Sequence, residues 1–364
     1  MPPRRRKRLD SSAFNLPVDH LRQGASIDRS AARVRQILIA EGRSPLVTIQ
    51  IAAERACILG GTDEAIALLK ACVEDWAGGA VVVSSLYDGE RVEAGETVMT
   101  VSGPYERFAH LEPLLLGILA RRTRVSTNAR AFVETARPKL VMAFPARHDH
   151  WVLQPGDAVA AQIGGALTIS ADAPATLPAG RAPPPHSVPP LALVPHALIA
   201  VYGGDTVAAA RAFAAHESND VQVVVPLDYD NDAVRTALDV AQALEARLWG
   251  VQLATSENLV DASIIPAMGG FPPTGVNPHL VWNVRNALDA EGLGDVRILA
   301  SSGMTLDRIR AFEEEGVPID AYGIGAALLA GRTGFTSTLI EMDAPLRVRV
   351  GSERRPNARL ERVR

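Results

Sequence analysis

The sequence has little cysteine: Cys57 and Cys72 are the only two in 364 residues. Neither belongs to a CxxC pair or a Cys/His cluster, which argues against a zinc site. Both lie among apolar residues, so buried structural thiols of a reducing, cytoplasmic compartment are expected. Aromatic residues are also scarce, at 5%, so Ala, Val and Leu must fill the core. No charge of one sign dominates. Lys and Arg number 37 against 41 Asp and Glu, and the net charge of −4 offers nucleic acid no general attraction. No apolar run approaches the roughly 20 residues of a membrane span. The opening MPPRRRKRLD is basic, but no apolar h-region follows it, so Arg4–Arg8 are expected in a solvated, disordered tail over 1–12.

At 47% hydrophobic, the chain can bury one large core or two. Its first third is mixed. Helical patterns cover Arg33–Gly42 and Asp63–Ala77, and Val81–Leu86 and Thr97–Ser102 read as strands. Turns at Asp88-Gly89 and Ala94-Gly95 fold the piece between those strands back on itself. That pattern resembles half of a biotinyl or lipoyl carrier domain, but no lysine stands at the tip, so a structural hairpin is expected.

A long helical stretch, His110–Ala136, follows, and then the pattern changes. Apolar strands at Leu140–Phe144, Leu167–Ser170, Val221–Leu227, Leu248–Ala254, Val296–Ser301 and Ile319–Gly323 alternate with helices at Asp205–Ala215, Asp232–Leu248, Pro278–Glu291 and Leu306–Glu315. Continuous apolar strands followed by helices imply a parallel sheet covered on both faces. Over this length a closed (β/α) barrel fits better than an open doubly wound sheet. Asn277-Pro278 and Thr305 are helix starts, and Gly316 is a helix stop. Eight prolines between Pro174 and Pro195 exclude a regular element there.

The strand ends Ser302-Gly303 and Gly323-Ile324-Gly325 lead into the last helical turns. In barrels such turns hold phosphate, because glycine admits the anion to the backbone and helix N–H groups point at it. The wording of several segments then goes further. Phe144-Pro145-Ala146-Arg147-His148-Asp149-His150, Val194-Pro195-His196-Ala197-Leu198-Ile199, Leu227-Asp228-Tyr229-Asp230-Asn231-Asp232, Leu248-Trp249-Gly250-Val251, Gly275-Val276-Asn277-Pro278-His279 and Ala311–Gly325 occur in order. Together they resemble nicotinate phosphoribosyltransferases, which are type II phosphoribosyltransferases, from about Phe14 to Gly325.

The resemblance implies an N-terminal α/β sandwich domain (13–125, with 333–364 packing on it), an irregular (β/α) barrel (126–332) and a head-to-tail homodimer. It implies that nicotinate is joined to phosphoribosyl pyrophosphate in NAD biosynthesis. Mg²⁺ would neutralise the pyrophosphate and ATP hydrolysis would drive the reaction. Phe144 would stack on the pyridine ring, and Arg147 would hold a carboxylate or phosphate. His196 would couple ATP through a phosphorylated imidazole. Asp228 would face ribose hydroxyls or Mg²⁺, and Asp172 would face the substrate. Ser302, Gly303, Gly323 and Gly325 would hold the 5-phosphate.

The chain also departs from that pattern. Relatives carry Arg-x-Asp where this one has Gln252-Leu253-Ala254, and paired glycines where it has Ser302-Gly303. Gly-Thr before the Val-Pro-His motif is replaced by Ala192-Leu193. Aromatics expected around Asp28 are replaced by Ala25, Ser26, Ser30 and Ala31. Losing one charged hydrogen bond costs roughly 1.5–3 kcal/mol. The alternatives are therefore a paralogue with impaired chemistry and a quinolinate-type phosphoribosyltransferase. Gln252 disfavours the latter, whose two carboxylates need several cations.

Overall fold

The computed structural model describes residues 7–14, 16–22, 26–168, 188–342, 350 and 353–363. An N-terminal layer combines helices α1 (Val18–Arg22), α2 (Arg29–Ala40) and α3 (Thr62–Cys72) with strands β1 (Leu46–Ala53), β2 (Cys57–Ile58), β3 (Val82–Ser85), β4 (Arg91–Val92) and β5 (Thr97–Pro104). β1 and β3 flank β5 in an antiparallel sheet. Val47, Ile49 and Ile51 alternate along β1 into a core shared with Ile66 and Leu69 of α3. The glycine turns between β3 and β5 carry the chain outward, where β4 pairs with β2. Asp88 in the first turn accepts the Thr62 N–H and hydroxyl, both at 2.7 Å, and so fixes the start of α3. Cys57 and Cys72 are buried and free, and burial pushes the Cys57 thiol up to about 11.

Helix α4 (Glu112–Ala136) serves both halves of the molecule. Its Leu115 and Leu119 enter the N-terminal core, while Val125, Ala129, Phe132 and Ala136 enter the second one. The second half contains strands β6 (Leu140–Ala143), β7 (Leu167–Thr168), β8 (Leu191–Leu193), β9 (Gln222–Pro226), β10 (Leu248–Leu253), β11 (Arg297–Ala300) and β12 (Ala321–Ile324). Helices α5 (Gln154–Gly164), α6 (His196–Val201), α7 (Thr206–His216), α8 (Ala233–Leu244), α9 (Pro278–Ala290) and α10 (Leu306–Glu314) connect and cover them. The ladders run β7-β6-β12-β11-β10-β9-β8, all parallel.

That order follows the chain around a circle, with the last strand, β12, returning to the first, β6. An open doubly wound sheet would instead reverse its order at a switch point. The fold is thus a (β/α) barrel, but an irregular one: among the described residues no ladder joins β7 to β8. Finally, β13 (Phe335–Met342) pairs with β1 and β14 (Glu361–Arg362) with β3, so the chain's end joins the N-terminal sheet.

Three expectations need correction. The proline-rich segment does hold a regular element, because Leu191-Ala192-Leu193 forms β8. Its prolines stand outside the three-residue ladder, where Pro190 only has to accept, from the Gln222 N–H at 2.9 Å. Residues 169–187 of that segment, Asp172 among them, lie outside the described residues. Arg8 is not solvated. It donates to Asp63 at 2.9 Å and to the Ser85 and Leu86 carbonyls at 3.0 and 3.1 Å, and it lies 4.2 Å from the Tyr87 ring centroid. Third, α8 ends at Leu244 rather than Leu248, because Glu245 takes a positive φ of 46°.

Candidate active site at the barrel mouth

Met142, Val224, Trp249, Leu299 and Ala321, one from each of five strands, fill the barrel interior. Side chains alternate along a strand, so residues two further on point into the mouth above this layer. That places Phe144, Ser301 and Gly323 there directly, and Asp228 four residues beyond Val224. On β10 a register shift between Leu248 and Gly250 makes the step three, from Trp249 to Gln252.

The contacts agree. Buried Gln252 donates its side-chain N–H to Ser301 Oγ at 2.9 Å, and Ser301 Oγ donates to the Leu253 carbonyl at 3.3 Å. A Cβ on Gly323 would stand 2.6 Å from Phe144 Cε2 and 2.9 Å from Ser301 Cβ. Gly323→Ala must therefore push the Phe144 ring. The expected cost is about 1–3 kcal/mol of stability, read as a lowered thermal midpoint.

Across the mouth, His196 opens α6 directly after Pro195. Its Nε2 lies 2.8 Å from Asp228 Oδ1, with the two side chains 50% and 19% exposed. The Asp228 hydrogen bond raises the imidazole above its usual pKa, aided by the Asp228 charge and opposed by burial and by Arg147. Arg147 stands exposed at the rim and makes no hydrogen bond or ion pair among the described residues. Beside it, His148 lies against Gly325, where any Cβ would collide with its Nε2. Burial, then the Arg147 charge, lowers the His148 pKa.

The structure thus brings Phe144, His196, Asp228, Gln252 and Gly323 together, with Arg147 at their edge. Gly325 sits beneath His148. Ser302 and Gly303 lie one step beyond Ser301, both with positive φ, 69° and 62°. Ser302 holds a conformation that favours glycine. Ser301, His148, Glu257 and Arg308 are site residues that the sequence reading did not single out. Ser301 follows from the period of two on β11, and His148 adjoins Arg147. Glu257, from the loop after β10, and Arg308, from α10, meet at Gly303, and no local signal predicts that.

The N-terminal domain family of quinolinate phosphoribosyl transferases matches residues 22–123. Over 286 residues the chain is 27% identical to nicotinate phosphoribosyltransferase pncB1 of Mycobacterium tuberculosis, covering 76% of this chain and 57% of that one. It is 24% identical over 245 residues to the nicotinate phosphoribosyltransferase of Bacillus subtilis, covering 67% of this chain and 45% of that one. The chain therefore spans only about half the length of these curated relatives. Among solved structures, nicotinate-nucleotide pyrophosphorylase from Pyrococcus furiosus superposes with a TM-score of 0.73 at 23% identity, covering 98% of this chain and 86% of that one. Human nicotinic acid phosphoribosyltransferase gives 0.59 at 17%, covering 89% of this chain and 75% of that one. By its parallel barrel and its antiparallel N-terminal sheet, the chain has the fold of these phosphoribosyltransferase structures, and its sequence is similar to that of the nicotinate phosphoribosyltransferases.

Proposed function

We propose that the protein joins nicotinate to phosphoribosyl pyrophosphate, giving nicotinate mononucleotide and pyrophosphate, with ATP hydrolysis coupled through His196. The His196–Asp228 pair at the mouth carries this reading. With Nε2 engaged by Asp228, Nδ1 makes no hydrogen bond among the described residues. In the neutral ring, Nε2–H donates to Asp228 and the Nδ1 lone pair is the nucleophile. Attack on the γ-phosphorus of ATP forms an N–P bond as the bond to the ADP oxygen breaks, and ADP leaves with the electron pair. Phe144 offers the pyridine an apolar face, and Arg147 is free to meet its carboxylate.

Among the described residues no group of three or more His, Cys, Asp or Glu could hold a metal. Mg²⁺ would enter with the pyrophosphate of the donor, as part of the substrate. The mouth layer Phe144, Asp228, Gln252, Ser301 and Gly323 contains no cation, which favours one substrate carboxylate over the two of quinolinate.

One observation favours a second reading, a paralogue with impaired turnover: Gln252, at the position where the resemblance implies arginine, commits its amide to Ser301. Purified protein given nicotinate, phosphoribosyl pyrophosphate, Mg²⁺ and ATP separates the two. Nucleotide formation supports the enzyme. A folded protein that makes no product from nicotinate, nicotinamide or quinolinate is the impaired copy. The double change Gln252→Arg with Ala254→Asp is expected to raise turnover roughly tenfold or more. An unchanged rate would show that these two positions do not limit the reaction.

A further inference from the structure

Among the described residues, the Ser302-Gly303 turn is approached by the carboxylate of Glu257. Glu257, on the loop after β10, lays its carboxylate over Gly303, where any Cβ would collide with Oε1. Its ionic partner is Arg308 of α10, whose Nη1 stands 3.6 Å from Oε1. Arg308 is itself held in place. Nη1 donates to the Ser302 and Gly303 carbonyls at 3.4 and 3.3 Å, and Nη2 to the Val276 carbonyl at 2.5 Å. The guanidinium is thus a fixed cation at the turn, whereas the Glu257 side chain is 66% exposed and can leave at little cost.

We propose that Glu257 is an internal stand-in for substrate phosphate. It occupies the seat over Gly303 in the free protein and swings out when the 5-phosphate of a phosphoribosyl compound arrives beside Arg308. Both are oxyanions that a guanidinium recognises. Glycine at 303 leaves the room that either needs, and two successive positive φ values open the turn toward it. The stand-in keeps Arg308 paired when no ligand is bound and weakens phosphate binding, which eases release of a phosphorylated product. This rests on the reading of the turn as the phosphate seat.

Calorimetric titration with ribose 5-phosphate, and with ribose as the phosphate-free control, tests the idea on the full chain. Glu257→Gln and Glu257→Ala are expected to bind ribose 5-phosphate about tenfold more tightly than the wild type, with ribose unaffected. Arg308→Lys, shown folded by its thermal melt, is expected to bind it about tenfold more weakly. If the wild type prefers ribose 5-phosphate to ribose and both Glu257 variants match it, the stand-in is overturned while the phosphate seat survives. If neither wild type nor variants distinguish the two sugars, the seat and the proposal fall together.

Discussion

Arg122→Ala is expected to lower the stability of the protein by about 3–5 kcal/mol, the usual consequence of leaving a buried charge without its partner. Arg122 is only 8% exposed. Its Nε and Nη2 donate to Glu64 at 2.6 and 3.0 Å, and its Nη1 donates to Asp157 at 2.7 Å and to the Leu153 carbonyl at 3.2 Å. These partners tie α4 to α3 of the N-terminal layer and to α5 of the barrel. Asp157, 1% exposed, keeps Arg121 when Arg122 is removed, but buried Glu64 loses its cation. The effect extends to the mouth, because Arg121 also holds Asp149 at 2.8 Å, on the loop that carries Arg147 and His148. Urea unfolding monitored by circular dichroism measures the change. The control is Arg91→Ala, whose pair with Glu134 is 68% and 45% exposed, and it should shift stability by no more than about 1 kcal/mol. Equal effects from the two variants would remove the network from any account of how the halves are joined.

His196→Ala is expected to abolish stimulation by ATP, a loss of roughly a hundredfold or more. Any rate that needs no ATP should remain, since Phe144 and the Ser302-Gly303 turn are untouched. The pH dependence has a definite sign. Asp228 holds the His196 pKa up, so the neutral, nucleophilic ring forms only as pH rises through that raised value. Asp228→Asn removes the support, and the rising limb of ATP hydrolysis should move to lower pH. The same linkage makes the pair's small contribution to stability complete below the unfolded histidine value of about 6.5, and lost as pH rises through the raised folded value. A His196→Ala protein that still hydrolyses ATP at the wild-type rate would exclude the phosphorylated imidazole.

Much of this architecture is legible from local rules. Asn277 and Thr305 accept the predicted capping bonds from Leu280 and Arg308 N–H groups. A period of two takes Phe144 and Ser301 to the mouth once the strands are recognised. Helix α5 is not legible in this way. Pro155 and Gly156 open it and Gly164 closes it, so the sequence reads as broken. Yet proline is tolerated in a first turn, where its missing N–H would have no partner. Gly156 is needed because Arg122 lies where its Cβ would be. The cause is a tertiary contact with a residue more than thirty positions earlier. The two glycines first read as phosphate contacts tell a similar story. Gly323 admits Phe144, and Gly325 admits His148. A local pattern reports that something must come close to a glycine, while the fold decides what does.

The most direct test of the central claim is product formation from ring-labelled nicotinate or quinolinate with phosphoribosyl pyrophosphate and Mg²⁺, with and without ATP, followed together with carbon dioxide release. A mouth with Arg147 unpaired at its rim among the described residues and a His196–Asp228 pair predicts nicotinate mononucleotide from nicotinate, faster with ATP, and no carbon dioxide. Mononucleotide formed from quinolinate alone, with carbon dioxide and without response to ATP, would contradict it.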